Sequence, residues 1–198
     1  MKWIFFDVGS TLVDETEAYD HRAREMLAGT DISFEAFHEK RVELAKEGFD
    51  GNSAAISFFG LRKTPWHAED EVLFPDTAET LDWLKARGYR LGIIANQVPG
   101  TAERLEGWGI GRYFDVIAAS AELGAAKPDP EIFRKALSLA GCRAEEAVMV
   151  GDRLDNDIIP ARALGMPAVW IRKGLAAYQT SEIPDHVIDS LGDLKELF

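Results

Sequence analysis

Short apolar runs alternate with longer segments of helical periodicity along most of this chain. The first run, Trp3 to Phe6, ends abruptly at Asp7. Further runs of strand length cover Leu91 to Ala95, Phe114 to Ala118, Ala147 to Val150 and Ala168 to Ile171, with a weaker one at Val187 and Ile188. Between them apolar residues recur at three- and four-residue spacing, which predicts helices. Asp76 is placed to cap one of these, with Glu79 completing a capping box, Ala78, Leu81 and Leu84 forming the apolar face, and Gly88 at its end. Pro99 begins a shorter helix reaching about Glu106. Asp129 and Pro130 form an N-cap and first-turn pair for a helix whose stripe is Ile132, Phe133, Ala136, Leu137 and Ala140, and which stops at Gly141. A helix from about Asp157 to Leu164 and a terminal helix capped by Ser190 complete the series.

Strand and helix units in repeated alternation build a parallel sheet covered by helices. The fold class is therefore read as α/β, a Rossmann-like doubly wound parallel sheet. The segment from Glu15 to Phe74 breaks the alternation. It offers two charged helices, near Glu17 to Leu27 and Phe34 to Lys46, and no convincing strand, so it reads as a small inserted helical cap. Residues 1–14 and 75–198 then make the core and residues 15–74 the cap, with hinges near Val13 to Glu15 and Phe74 to Asp76. Ligands of such a sheet bind outside the carboxyl ends of the strands, and an insertion after the first strand hangs over that edge.

Composition narrows the partners. The 198 residues carry a net charge of −12, which argues against nucleic acid or an anionic membrane, since both need clustered Lys and Arg. An anionic substrate has to be attracted locally, by a metal or a lysine. The one cysteine, Cys142, has no internal partner for a disulfide and reads as a small apolar residue. The run behind Lys2 is too short for a signal peptide core, and no apolar stretch approaches membrane-spanning length, so a cytoplasmic location is expected. The oligomeric state is not legible.

The chemistry sits at the ends of the runs. Asp7, Asn96 and Asp152 each directly follow one or its terminal glycine, and Lys127 lies in the loop after another, so a parallel sheet brings all four to one edge. Asp7, Asp152 and Asp157 crowd like charges into one crevice, which costs free energy unless a cation is shared among them. Oxygen ligands in small number are what Mg²⁺ prefers. The two prolines of Lys127-Pro128-Asp129-Pro130 fix the approach of the lysine.

Taken in order, Asp7-Val8-Gly9-Ser10-Thr11-Leu12, Asn96 after its strand, Lys127-Pro128, and Gly151-Asp152 with Asn156-Asp157 resemble the four motifs of the haloacid dehalogenase-like superfamily of phosphoryl-transfer enzymes. The resemblance covers nearly the whole chain. It implies that Asp7 attacks phosphorus to form an aspartyl-phosphate. Asp7 and Asp152, with the backbone carbonyl of Gly9, would bind Mg²⁺ directly, while Asp157 either joins them or holds a water bound to the ion. Lys127 would neutralise the nucleophile and the phosphoryl oxygens. Ser10 and Thr11 shape the turn after Asp7 and are assigned, with Asn96 and Arg153, to phosphate binding. The expected partner is a small phosphorylated metabolite, a phosphate ester or anhydride.

Two positions depart from the family pattern. Gly9 stands where phosphatases of the family carry the Asp that protonates the leaving oxygen, and Ala95 stands where they carry Ser or Thr. Turnover is therefore expected to be weakened, and Gly9→Asp is expected to raise hydrolysis of alkyl phosphates most. Three alternatives stay open: a phosphoryl-binding protein with little catalysis, a dehalogenase-like hydrolase, and a phosphonate-cleaving hydrolase using Lys40, Lys46 or Lys63 of the insertion. Retained Asp152 and Asp157 speak against the dehalogenase. Within the insertion Arg62, Lys63, Trp66 and His67 form a cluster placed either to read a substrate or to pack with a solvated rim, and His21 and His38 carry no signal.

Overall fold

In the computed structural model, which describes residues 2–181 and 183–198, the apolar runs form one six-stranded parallel sheet. The chain runs β1 (Trp3–Phe6), β2 (Val13–Asp14), α1 (Thr16–Leu27), α2 (Phe34–Lys46), α3 (Gly51–Phe58) and β3 (Val72–Leu73). It continues through α4 (Thr77–Ala86), β4 (Arg90–Ala95), α5 (Thr101–Gly107), β5 (Phe114–Ala119), α6 (Ser120–Leu123) and α7 (Pro130–Ala140). The last elements are β6 (Ala147–Gly151), α8 (Ile159–Ala163), β7 (Ala168–Ile171), β8 (His186–Ile188) and α9 (Leu194–Leu197). Spatial order in the sheet is β5-β4-β1-β6-β7-β8. From β1 the chain builds outward through β4 and β5, then returns to add β6 on the other side. The switch point of this doubly wound sheet thus lies between β1 and β6, the place where such sheets open a crevice for ligands.

Alternation along β1 supplies both faces of the core. Ile4 and Phe6 pack with Leu81, Leu84, Leu91, Ile93 and Val150 on the side of α4 and α9. Trp3 and Phe5 face the other way, onto Phe133, Ala136, Met149 and Trp170. The helices α1 to α3 bury a separate cluster of Ala23, Met26, Leu27, Phe37, Ala55 and Ile56.

Several local expectations are corrected. Thr77 begins α4 as expected, but the Asp76 carboxylate makes no cap bond to it and instead accepts from the backbone N–H of Gly192 at 3.0 Å. Glu79 pairs with Lys195, so tertiary contacts to the terminal helix displace the capping box. The helix expected from Pro99 starts at Thr101, because Gly100 in a left-handed conformation (φ 92°) precedes it. The helix expected from Asp157 starts earlier, with a widened turn over Leu154–Ile158 in which Ile158 N–H reaches back to the Arg153 carbonyl at 3.3 Å. In the insertion α3, and at its base the short ribbon pairing Val13 with Leu73 and Asp14 with Val72, escaped the sequence reading. Two-residue strands have no periodicity to detect.

Gly92 shows how closely the central strands approach. It lies opposite Phe5 in the register of β1 and β4, and a Cβ there would stand 2.5 Å from the Phe5 ring, which is itself stacked on Trp3 at 5.5 Å. Gly92→Ala should therefore destabilise the fold by about 1–3 kcal/mol through overpacking. Denaturant unfolding checks this, and unchanged stability would show that Phe5 can yield.

Candidate active site

Parallel pairing brings the strand-end residues to one edge. Asp7 follows β1, Asn96 follows β4, Asp152 follows β6, and Asp157 is turned inward by the widened turn after Arg153. Lys127 enters from the loop before α7, and its buried ammonium lies 2.6 Å from Asp7 Oδ1 and 2.6 Å from Asp157 Oδ1. The other oxygen of Asp157 accepts from the Arg153 backbone N–H at 2.9 Å. A Cβ on Gly151 would stand 2.5 Å from the Asp157 carboxyl carbon, so this strand end closes on Asp157 only because it is glycine.

Charge in the crevice is predominantly negative. Burial, then Asp157, Asp7 and Glu15, push the Asp152 carboxyl well above the usual carboxylate range. Burial likewise raises Asp157, to about 6, against the lowering influence of Lys127. Burial alone would lower the Lys127 ammonium, but Asp157 and Asp7 more than offset it and hold it above its ordinary value. Oxygens of Asp7, Asp152 and Asp157 lie within 4.8 Å of one another, as a shared cation requires.

Four residues assigned to phosphate from the sequence are engaged elsewhere. The Asn96 side chain clamps the peptide of Lys127: Nδ2 donates to the Lys127 carbonyl at 2.8 Å and Oδ1 accepts from its N–H at 2.7 Å. Of Asn96, the backbone and the second Nδ2 hydrogen remain for phosphate. The buried Thr11 hydroxyl donates to Asp152 at 3.4 Å, and the Ser10 hydroxyl, on a backbone with φ 52°, donates to Glu15 at 3.2 Å. Arg153 lines the crevice, yet its guanidinium binds Asp155 and, at 2.9 Å, Asp50 of the insertion. The partners of Asn96 and Thr11, and Asp50 for Arg153, are fixed by tertiary folding, which spacing along the chain does not encode.

The sequence reading missed Glu15. Its carboxyl lines the crevice with Asp7, Lys127 and Asp152, and burial, with Asp7 and Glu71 beside it, pushes it up to about 8. Gly9 was the available signal, since a missing side chain beside a nucleophile leaves room for another to enter.

A neighbouring cavity of about 290 Å³ shares Glu15, Tyr19, Asn96 and Gln97 with the crevice and is walled by Arg22, Lys63, Trp66 and Arg104. Trp66 packs edge-on against Tyr19 and donates to Glu71 at 2.7 Å. Of the three insertion lysines, only Lys63 lines this cavity; Lys40 pairs with Glu43 and Lys46 lies over the Tyr178 ring. His21, for which nothing was expected, stacks on His67 at 3.7 Å and binds Asp70 at 2.7 Å. That part of the expected cluster is packing.

Comparison with known proteins agrees with this geometry. The chain matches the haloacid dehalogenase-like hydrolase family over residues 1–165. It is 31% identical to the glyceraldehyde 3-phosphate phosphatase of Methanothermobacter thermautotrophicus, covering 100% of this chain and 99% of that protein. A shorter match, 39% identical, covers 64% of this chain and 50% of the phosphoserine phosphatase of Thermus thermophilus. The crystal structure of a HAD phosphatase from Thermococcus onnurineus superposes with a TM-score of 0.70 at 28% identity, covering 100% of this chain and 97% of that one. Matched in sequence over most of its length and in fold over all of it, the chain belongs to the haloacid dehalogenase-like hydrolase family and is a hydrolase.

Proposed function

We propose that this hydrolase is a Mg²⁺-dependent phosphatase that acts on a small phosphate ester or anhydride through an aspartyl-phosphate on Asp7. Residues 1–14 and 75–198 form its catalytic core and residues 15–74 a helical cap over the site. The observation that carries this reading is the buried Lys127 ammonium shared between Asp7 and Asp157, with Asp152 beside them. Relatives named as phosphatases of glyceraldehyde 3-phosphate and of phosphoserine favour a small phosphorylated metabolite.

The residues fit a divalent cation. Lys127 reaches Asp7 and Asp157 and leaves Asp152 with no cation, held by the Thr11 hydroxyl, so the crevice holds more carboxyl oxygens than cationic partners, the hard donor set that Mg²⁺ takes. Asp7, Asp152 and the Gly9 carbonyl would hold the ion, and Asp157, both of whose oxygens already accept hydrogen bonds, supports the site from behind. When bound, the ion would supply positive charge to the carboxylates and the phosphoryl oxygens. Asp7 attacks phosphorus, and Lys127 stabilises the charge that develops on the transferred group. Asn96 fixes the lysine's backbone and so the direction of its ammonium. The cavity under the cap accommodates the rest of the substrate.

Asp152→Asn should abolish Mg²⁺-dependent hydrolysis of phosphate esters and weaken Mg²⁺ binding without unfolding the protein. Calorimetric titration with Mg²⁺ and a screen across phosphate esters, a phosphonate and a halo-acid check both points. Retained affinity and activity in the variant, or activity on the halo-acid alone undiminished by chelator, would contradict the reading.

Closure of the cap should depend on the Arg153–Asp50 contact, which joins core to cap across a partly exposed gap. Pairs of this exposure are worth about 0.2–1 kcal/mol, so Arg153→Gln should speed opening of the segment around Asp50 by about 1.4- to 5-fold. Hydrogen exchange measures it. Unchanged exchange there would show that other contacts hold the cap.

A further inference from the structure

Gly9 lacks a side chain, and the structure shows what occupies its place. A Cβ built at position 9 would stand 2.6 Å from the Glu15 carboxyl carbon and 2.6 Å from Oε2, closer than van der Waals contact allows. The Glu15 carboxyl therefore fills the space into which a side chain at position 9 would project. Its own position in the chain leaves it free to do so. Glu15 precedes α1 but makes no side-chain cap bond to it; the first-turn N–H of Thr16 is taken by Asp14 at 2.9 Å. The Ser10 hydroxyl holds Glu15 Oε2 at 3.2 Å, orienting the carboxyl in the turn that follows the nucleophile. Glu15 also lies where the catalytic crevice meets the larger cavity, lining both. With Tyr19, Asn96 and Gln97 it borders the passage from the crevice into that cavity.

We infer that Glu15 is the proton-transfer residue of this enzyme, entering from the start of the first cap helix to do the work that position 9 cannot. The inference rests on the phosphatase reading above. In the first half-reaction a carboxylate oxygen of Asp7 forms a bond to phosphorus as the bond from phosphorus to the leaving oxygen breaks. The bonding pair stays on that oxygen, which takes the proton of the Glu15 carboxyl and departs as the alcohol. In the second, water attacks phosphorus, gives its proton to the Glu15 carboxylate, and the bond to Asp7 breaks with its electron pair returning to Asp7. Inorganic phosphate leaves and Glu15 is again protonated. The expectation that Gly9→Asp alone would raise activity is replaced: a side chain there collides with Glu15, so the single substitution should lower hydrolysis.

Glu15→Gln keeps the shape and removes the proton. Steady-state and pre-steady-state hydrolysis of glycerol phosphate and p-nitrophenyl phosphate, with saturating Mg²⁺, tests the role. Loss of general acid catalysis should lower kcat on glycerol phosphate by about 10²–10⁴-fold. The aryl ester, whose leaving group departs unprotonated, should instead give a rapid burst of p-nitrophenolate close to one per enzyme, followed by slow turnover while phosphorylated Asp7 accumulates. The second variant, Gly9→Asp combined with Glu15→Ala, puts a carboxyl back from position 9 and should recover alkyl ester hydrolysis relative to Glu15→Ala alone. Wild-type rates in Glu15→Gln, or equal losses on both esters with no burst, would overturn the role of Glu15 while leaving the phosphatase reading intact. A wild-type protein that hydrolyses neither ester and forms no phosphorylated Asp7 would overturn that reading, and this role with it.

Discussion

One buried ammonium group organises the site. Lys127 lies 2.6 Å from both Asp7 and Asp157, and removing the lysine would leave two carboxylates facing each other in the interior without a cation. Everything nearby serves that contact. Asn96 holds the lysine's peptide from the end of β4, Arg153 N–H holds Asp157, and Gly151 lets β6 approach Asp157 closely. The contact exists only because β1 and β6 are neighbours across the switch point of the sheet, so the topology of the core and the charge balance of the crevice are one constraint.

The excess of carboxylates over cations has a functional consequence. Asp152 and Glu15 carry raised pKa values because burial and like charges disfavour ionisation of both. In the proposed reading a divalent cation, which Asp7 and Asp152 would hold, would relieve the first. Glu15 differs in origin: it lies between β2 and α1, so the segment that leads into α1 also delivers a carboxyl to the crevice of the proposed nucleophile. A side chain at position 9 would have to displace the Glu15 carboxyl, so the departure from the family pattern there is paired with the presence of a glutamate six positions later.

Much of this was legible in the sequence, for identifiable reasons. Strands of four to six apolar residues ending in Asp7, Asn96 or Gly151-Asp152 announce themselves by hydrophobicity, and a parallel sheet dictates that their ends converge. The cap helices α1 and α2 were readable from periodicity, whereas the eight residues of α3 and the two-residue strands β2 and β3 are too short to carry one. Side-chain partnerships were the least legible. Nothing in the spacing says that Asn96 will spend its amide on Lys127, that Thr11 will turn to Asp152, or that Arg153 will reach Asp50. These depend on three-dimensional placement of residues far apart in the chain.

The central claim is that the carboxylate held by Lys127 becomes covalently phosphorylated. Rapid-quench mass spectrometry of the enzyme mixed with Mg²⁺ and a phosphate ester tests it most directly. The account predicts a transient phosphorylated peptide containing Asp7, formed at a rate no slower than turnover, and absent from Asp7→Asn. Full turnover with no phosphorylated peptide, and retained by Asp7→Asn, would contradict it.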